Sequence, residues 1–228
     1  MKISIIGVAR SRTQVLLQLL SNKYPNIPCL YEIYTYKLKE SIPLSDITHH
    51  LFLSENFIVK ILGRNIVNQD PIDQNIDILR LNEYDSINLI ERPDFFNQCC
   101  SLQVCKDSNV WHHYKKNSHM YSYLNHKRFT LSLDTVLVLG KDIESYMNIK
   151  TYMTSNNISH QIHDYSKFDD TPPNITVMKG KLDYTKIINN YHLGESITNI
   201  FDKHYNYNTC YHDYPSFEQD IIKLFNNN

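Results

Sequence analysis

Four side chains that can bind an anion follow one another near the start of the chain, in the segment Arg10-Ser11-Arg12-Thr13. Arginine keeps its charge at any working pH, and its guanidinium can hold two oxygens of a phosphate or sulfate at once. The serine and threonine hydroxyls can donate further hydrogen bonds. These residue types, at this spacing, indicate a site for an oxyanion.

The elements on either side of this segment would hold it in place. Residues 3–8 form an apolar run that is typical of a buried parallel strand. Residues 15–20 have the apolar residues expected for one side of a helix. A strand, a short cationic turn and a helix surround an anion with backbone N–H groups and a helix N-terminus. The small residues Gly7 and Ala9 would let a ligand approach the backbone closely.

A second cation follows another predicted strand, at Arg92 after residues 86–91. In open α/β sheets ligands bind beyond the carboxyl ends of strands, which is where Arg92 would lie. Pro93 suits the first position of a helix over residues 93–106. Asp94, Gln98 and Ser101 would share one stripe of that helix. We therefore expect a second anion site at this sheet edge, although the polar face of an amphipathic helix also explains the stripe.

Predicted strands and helices alternate along most of the chain. Residues 26–31 are expected to be a turn leading into a short strand, and further strands are expected at 57–62, 86–91 and 158–163. A long helix is expected at 131–156, and two or three short helices are expected after a loop at 169–174. This alternation predicts an α/β fold with three layers and a central parallel sheet. The length of 228 residues suits one domain over residues 1–228.

Composition narrows the function classes. A net charge of −1 argues against broad electrostatic binding to nucleic acid or to a membrane surface. Five cysteines without a CxxC pair favour a reducing compartment, so we expect a cytoplasmic protein with no signal peptide and no membrane span. The excess of Asn, Ile, Tyr and Lys is typical of AT-rich genomes, viral genomes among them, in which case the host cytoplasm is the location.

The first loop differs from the ATP-binding P-loop. The pattern GxxxxGK[ST], counted from Gly7, requires Gly and Lys where Arg12 and Thr13 stand, and no obvious aspartate ends a strand to hold Mg²⁺. The histidines at 112–113, 160 and 163 lack the second pair that would complete a metal site. We therefore expect no metal. Lys60, on the second predicted strand, would either approach the ligand or extend along a sheet edge.

Two motifs together resemble the sulfotransferases that use 3′-phosphoadenosine 5′-phosphosulfate (PAPS). The loop that binds the 5′-phosphosulfate in the tyrosylprotein and bacterial carbohydrate branches is roughly G-x-P-R-S-G-T-[ST]-L-L, and this chain has GVARSRTQVL from Gly7. The 3′-phosphate motif in the trehalose-type branch is roughly R-x-D-x-x-x-Q-x-x-S, which is similar to Arg92, Asp94, Gln98 and Ser101. That branch also places a tryptophan about ten residues later, as Trp111 is here.

Two further segments extend the resemblance over about residues 1–168, which leaves residues 169–228 as a C-terminal helical part. Residues 22–32 are similar to the family's H-P-x-x…G-E segment, which places Glu32 at the position of a proposed catalytic base. Residues 143–165 are similar to the family's long helix, strand and Y-E-D-L-like turn. Arg12 and Gln14 depart from the family, which has Gly and Ser/Thr at those positions.

The resemblance implies a P-loop-like fold and the transfer of a sulfuryl group from PAPS to a hydroxyl, with the bisphosphate PAP as product and no metal. Arg10, Ser11, Arg12 and Thr13 would hold the 5′-phosphosulfate, and Arg92 and Ser101 the 3′-phosphate. Arg10 and Glu32 would be catalytic, and the acceptor would be a small molecule or a saccharide. Two alternatives stay open: a P-loop kinase of a small molecule or nucleoside, and an inactive nucleotide-binding module.

Overall fold

The structure is a computed structural model that describes residues 1–30, 33–34, 41–63, 76–109, 123–164, 166 and 182–228. The chain divides into two compact units that alternate along the sequence. Unit 1 is Met1–Glu91 with Lys141–Phe168, and unit 2 is Arg92–Gly140 with Asp169–Asn228. The expectation of a single domain stays a prediction.

Five parallel strands form the central sheet of unit 1. They are β1 (Lys2–Gly7), β2 (Cys29–Leu30), β3 (Phe57–Leu62), β4 (Ser86–Glu91) and β5 (Gln161–Asp164). Their order in the sheet is β2-β3-β1-β4-β5. The fold is therefore α/β with a central parallel sheet flanked by helices, as predicted from the sequence. The strand expected at 158–163 begins three residues later, at Gln161.

Seven α-helices are described. They are α1 (Thr13–Lys23), α2 (Leu44–Phe52), α3 (Phe95–Ser108), α4 (Leu133–Ser155), α5 (Tyr184–Ile187), α6 (Gly194–His204) and α7 (Tyr214–Asn226). Short 3-10 turns occupy Leu81–Glu83 and Tyr191–Leu193. Between α6 and α7, a two-stranded antiparallel hairpin pairs Tyr205–Asn206 with Tyr211–His212. The sequence pattern predicts only helices in this region, and the hairpin differs from that prediction.

The order of the strands creates a switch point beside β1. The chain leaves β1 toward β2 and β3 on one side, and it leaves β4 toward β5 on the other side. Ligands of open parallel sheets bind at the carboxyl edge where neighbouring strands diverge in this way. In the register of β1 with β4, Gly7 lies opposite Ile90, so the loop after β1 begins beside the end of β4.

Helix α4 packs closely against the carboxyl edge of the sheet in unit 1. Gly63 follows β3, and its N–H donates to Gly7 O at 3.1 Å. A Cβ at Gly63 would stand 2.2 Å from the backbone oxygen of Asp142 in α4. Only glycine allows the helix backbone this close to the strand end. Residues of α4 are therefore held near the point where β1 and β3 end.

Unit 2 is built around α3. Ten of its side chains are buried on all sides of the helix, including Gln98 and Ser101. Phe95 stacks on Phe201 with ring centroids 4.2 Å apart, and Phe217 meets Phe95 edge-on at 5.8 Å. Of the predicted polar stripe, Gln98 and Ser101 are buried and Asp94 is exposed, so most of the stripe does not face solvent.

No helix among the described residues has the length and apolar character needed to cross a membrane.

Candidate functional site

The loop between β1 and α1 turns through two arginines in the left-handed backbone region. Arg10 has φ 66° and Arg12 has φ 59°. This conformation costs a residue with a Cβ on the order of 1–2 kcal/mol relative to the right-handed form, and glycine usually occupies it. Arg12 stands where the resembling family has glycine, and its backbone adopts the conformation that glycine favours. The departure from the motif is therefore not a departure from a glycine-type turn.

Gly7 is required by the loop's own side chains. A Cβ at this position would lie 2.7 Å from Thr13 Cγ2 and 2.9 Å from Ser11 Oγ. Thr13 and Ser11 therefore occupy the space that a side chain at position 7 would need, and the expected approach of a ligand to this backbone stays a prediction. The Ser11 hydroxyl donates to Val8 O at 2.6 Å, and the Ser11 N–H donates to the same oxygen at 3.2 Å. In this conformation Ser11 closes the turn.

The first turn of α1 faces the loop without a side-chain cap. Arg12 is the residue at the N-cap, and no side chain there accepts a hydrogen bond from the helix. Arg12 O accepts from the N–H groups of Val15 and Leu16 at 2.9 and 3.3 Å. The first N–H groups of a helix have no partner within it, and the helix dipole makes this end positive. With Arg10 and Arg12, three sources of positive potential meet in one short segment.

A buried lysine lies beneath this turn. Lys60 belongs to β3, an interior strand, and its exposed fraction is 3%. Its ammonium donates to Gln14 Oε1 at 3.5 Å. The alternative that Lys60 extends along a sheet edge is therefore wrong. Gln14, which replaces a hydroxyl residue of the resembling motif, instead accepts a hydrogen bond from this cation.

A second charged cluster, which was not predicted from the sequence, lies at the end of the neighbouring strand β4. Glu91 is the last residue of β4, and its Oε1 accepts from Lys150 Nζ at 2.6 Å and from the Tyr146 hydroxyl at 3.2 Å. Both partners are on α4. The ion pair is nearly buried, with side-chain exposures of 8% for Lys150 and 16% for Glu91. The acidic end of β4 could have been noticed in the sequence, but its lysine partner lies 59 residues away.

The described histidines give no metal site. His163 meets Asn88 Oδ1 at 3.0 Å through its Nε2, and His160 Nδ1 lies 2.9 Å from Ile158 O. Among the residues that the structure describes, no group of three or more His, Cys, Asp or Glu side chains is arranged to hold a metal ion.

The residues expected to hold a second phosphate lie in unit 2. Arg92 is buried, and its Nη2 is 3.6 Å from Asp94 Oδ2. Asp94 is the N-cap of α3, where its side chain accepts from Asn97 N at 3.4 Å. Pro93 thus precedes the helix instead of beginning it, because the aspartate side chain caps the first turn better than proline could. Ser101 is buried two turns into α3.

Two adjacent thiols of α3, those of Cys99 and Cys100, are buried near Arg92, and their pKa values reflect this. Burial raises the pKa of the Cys100 thiol to about 12, an effect that the positive charge of Arg92 partly opposes. Burial also raises the pKa of the Cys99 thiol well above its usual range. Neither thiol is a nucleophile at neutral pH, because the reactive form is the thiolate. They pack as apolar groups near a buried guanidinium.

The structure brings together one set of predicted residues: Arg10, Ser11, Arg12 and Thr13 share the loop and first turn after β1. Glu32, the expected base, and Trp111 lie outside the described residues. Arg92 and Ser101 share α3 and the residues just before it.

Comparisons of the chain with protein-family models, with curated proteins and with solved structures give no match in any of the three.

Proposed function

We propose that this protein is a sulfotransferase of P-loop-like fold that moves a sulfuryl group from PAPS to a hydroxyl acceptor. The observation that carries the proposal is the loop from Gly7 to Thr13. It follows the strand beside the switch point, it turns through Arg10 and Arg12 at positive φ, and it leads into a helix without a side-chain cap. Such a loop suits a doubly charged phosphosulfate, which is the ligand that the resembling motif binds.

Arg10 is the proposed stabiliser of the leaving group. In sulfuryl transfer, the acceptor oxygen forms a bond to sulfur while the bond from sulfur to the phosphate oxygen breaks. Negative charge grows on that phosphate oxygen, and a fixed cation with backbone N–H donors stabilises it. Arg10, Arg12 and the first N–H groups of α1 supply these charges. Thr13 adds a hydroxyl at the first position of the helix.

The acceptor hydroxyl must lose its proton as it attacks, and Glu32 is the proposed general base. Arg92 and Ser101 are proposed to bind the 3′-phosphate of the donor, with the guanidinium of Arg92 providing the charge. A sugar or another small hydroxyl compound is the proposed acceptor, and the cytoplasm is the proposed location.

The test is a comparison of nucleotides by thermal denaturation. At equal concentration, adenosine 3′,5′-bisphosphate should raise the melting temperature more than ATP with Mg²⁺ does. A ligand at about 100 times its Kd adds about 2.7 kcal/mol to the free energy of unfolding. Adenosine 5′-monophosphate is the control for the 3′-phosphate. Equal shifts with the bisphosphate and the monophosphate would contradict the proposal.

A transfer assay with labelled PAPS then separates an enzyme from a binding module. Sugars and peptides are offered as acceptors to the natural protein and to the variant Glu32→Gln. We expect the variant to bind the bisphosphate normally and to transfer slowly. Binding without transfer to any acceptor would favour the inactive module.

One observation favours the kinase alternative. Glu91 ends the strand next to β1, where an acid could hold the Mg²⁺ of ATP. A larger thermal shift with ATP and Mg²⁺ than with the bisphosphate would support that alternative.

A further inference from the structure

A histidine projects from the same sheet face as the loop after β1, at the carboxyl end of β5. In the register of the sheet, Gly7 lies opposite Ile90, and Ile90 lies opposite His163. Register partners project from the same face of a sheet. A Cβ at Gly7 would point at Thr13 and Ser11, so His163 projects from the face that carries the loop. The backbones of Gly7 and His163 are two strand spacings apart, or about 10 Å.

A buried asparagine fixes the tautomer of this histidine. Asn88 of β4 is 4% exposed, and its Nδ2 donates to Ser4 O at 3.3 Å and to Ser86 Oγ at 3.2 Å. Because a carbonyl oxygen only accepts, the amide nitrogen of Asn88 faces Ser4 and its Oδ1 faces the imidazole ring. His163 Nε2 lies 3.0 Å from that oxygen and therefore carries a hydrogen. Nδ1 is then the atom of the neutral ring that can accept a proton.

The charged groups around the histidine divide between the two faces of the sheet. Lys60 of β3 belongs to the loop face, as its contact with α1 shows, and Arg10 and Arg12 stand in the loop itself. Glu91 and Asp164 are register partners at the next position along β4 and β5, so they project from the opposite face. Positive charge nearby favours the neutral form of an imidazole. The loop face therefore favours the form of the ring that can accept a proton.

We propose that His163 is a proton-accepting residue of the site formed by this loop, with Nδ1 as the accepting atom and Asn88 as the residue that positions the ring. The side chain of His163 is half-buried, so a ligand can reach it. An imidazole oriented by a hydrogen bond to its other nitrogen is a common form of general base. The substrate that it would serve is a hydroxyl compound that attacks an oxyanion group held by the loop.

The chemical step rests on the proposed function. The acceptor oxygen forms a bond to sulfur, and its proton passes to Nδ1 of His163. The electron pair of the bond from sulfur to the phosphate oxygen leaves with PAP. His163 and Glu32 are then rival bases for one proton. They differ in the pH below which they are protonated, which is about 6.5 for an ordinary histidine and about 4.3 for an ordinary glutamate.

The place of His163 is tested in the natural protein by NMR, without a transfer assay. The ring nitrogens of 15N-labelled protein are followed between about pH 5 and 8, where histidine changes its charge, with and without saturating pyrophosphate. The variant His163→Gln assigns the signals. We expect the Nε2–H tautomer at neutral pH. The midpoint of the His163 titration should rise by about 0.5–1 pH unit when pyrophosphate binds, because negative charge nearby favours the protonated ring.

His160 is the matched control. It precedes β5, at the amino end of the strand, and its Nδ1 lies 2.9 Å from Ile158 O. Its titration midpoint should not move when pyrophosphate binds. A His163 midpoint that moves no more than that of His160 would overturn the proposal, and so would the Nδ1–H tautomer of His163. Asn88→Leu tests the positioning role, because loss of the amide oxygen should leave a mixture of both tautomers of His163.

Transfer from labelled PAPS then tests the chemistry. We expect the rate of the natural protein to fall as the pH drops below about 6.5. In His163→Gln, kcat should be about a hundredfold lower, with unchanged affinity for adenosine 3′,5′-bisphosphate. His160→Gln should match the natural protein in rate and in pH profile. A rate that falls only below about pH 4.3 in the natural protein would assign the proton to Glu32 and contradict the role of His163.

The outcomes also separate this proposal from the proposed function. A His163 signal that responds to pyrophosphate, without transfer to any acceptor, would remove the sulfotransferase and keep His163 at the site of the loop. Transfer with an unchanged rate and pH profile in His163→Gln would keep the sulfotransferase and remove His163. A natural protein that binds neither pyrophosphate nor the bisphosphate would remove both.

Discussion

Two strand–turn–helix junctions of this chain use an arginine in different ways. After β1, the turn passes through Arg10 and Arg12, which are partly exposed, and α1 begins without a side-chain cap. After β4, Arg92 is buried against Asp94, and the same aspartate caps α3. The first helix therefore begins with no carboxylate at its cap, whereas the second begins with one that also lies 3.6 Å from its arginine. In the proposed function the arginines of both junctions bind the donor, and Arg92 must then do so beside an acidic cap, whereas Arg10 and Arg12 have none beside them.

The largest effect is expected from Gly7→Ala in the first junction. The new Cβ would meet Thr13 Cγ2 at 2.7 Å and Ser11 Oγ at 2.9 Å, so the turn must shift. Overpacking of this kind typically costs about 1–3 kcal/mol of unfolding free energy, which urea denaturation measures. Pyrophosphate binding should be lost with the turn.

The control for this prediction is Gly194→Ala in unit 2, whose Cβ would lie 2.6 Å from Phe96 Cε1. This variant should lose a similar amount of stability and keep its affinity for pyrophosphate. Equal loss of affinity in both variants would mean that general destabilisation, not the turn, explains the effect.

Replacing Arg10 and Arg92 separately tests whether the two junctions differ. Arg10→Ala deletes a partly exposed cation, so we expect anion affinity to fall by about 1.5–3 kcal/mol with little change in the urea midpoint. Arg92→Ala deletes a buried group and leaves space in unit 2, so it should lower the urea midpoint. A stability loss in Arg10→Ala as large as that in Arg92→Ala would contradict the expectation that only the buried arginine stabilises the fold.

Arg12→Gly is expected to change the free energy of unfolding by a smaller amount and to raise it. Glycine relieves the left-handed strain of about 1–2 kcal/mol but adds freedom to the unfolded chain, so stability should rise by about 0.5–1 kcal/mol. Anion affinity should fall because a charge is lost. Arg80→Gly is the control: Arg80 also has a positive φ of 54°, and it precedes β4 instead of following a strand end. It should leave the affinity unchanged, and calorimetry with pyrophosphate checks both variants.

The smallest effect is a local response to acid. Asp213 caps α7 by accepting from Ser216 N at 3.1 Å, and hydrogen bonds from Ser216 hold the pKa of the Asp213 carboxyl below its ordinary 3.8. Because the folded-state pKa is lowered, this stabilisation is present above pH 3.8 and is lost as the pH falls through the lower folded value. Amide exchange followed by NMR should show the first turn of α7 opening in that window. The first turn of α1, which has no carboxylate cap, should show no matching transition.

Much of the fold followed from local patterns. The apolar runs at 57–62 and 86–91 coincide with β3 and β4, because strands buried in a parallel sheet are apolar along their whole length. The hairpin at Tyr205–His212 was missed because each of its strands has only two residues and so gives no periodic signal.

The site was only partly predictable. Arg10 to Thr13 are contiguous, so their proximity needs no knowledge of the fold. The Lys150–Glu91 pair joins residues from two distant segments, and only the packing of α4 on the sheet reveals it. The positive φ of Arg12 was equally hidden, because its side chain type argues against that conformation and the demands of the turn override it.

The register of β1 has a consequence for the time at which the site forms during synthesis. Lys2 pairs with Phe57 on one side, and Ile3 pairs with Ser86 on the other. A ribosome adds about 5–20 residues per second, so β1 waits roughly 3 to 11 seconds for its first partner strand to be made. The loop from Val8 to Arg12 is therefore translated early, but both strands that pair with β1 are made later. A nascent chain that ends before Ser86 lacks one of the two strands that flank β1 in the sheet.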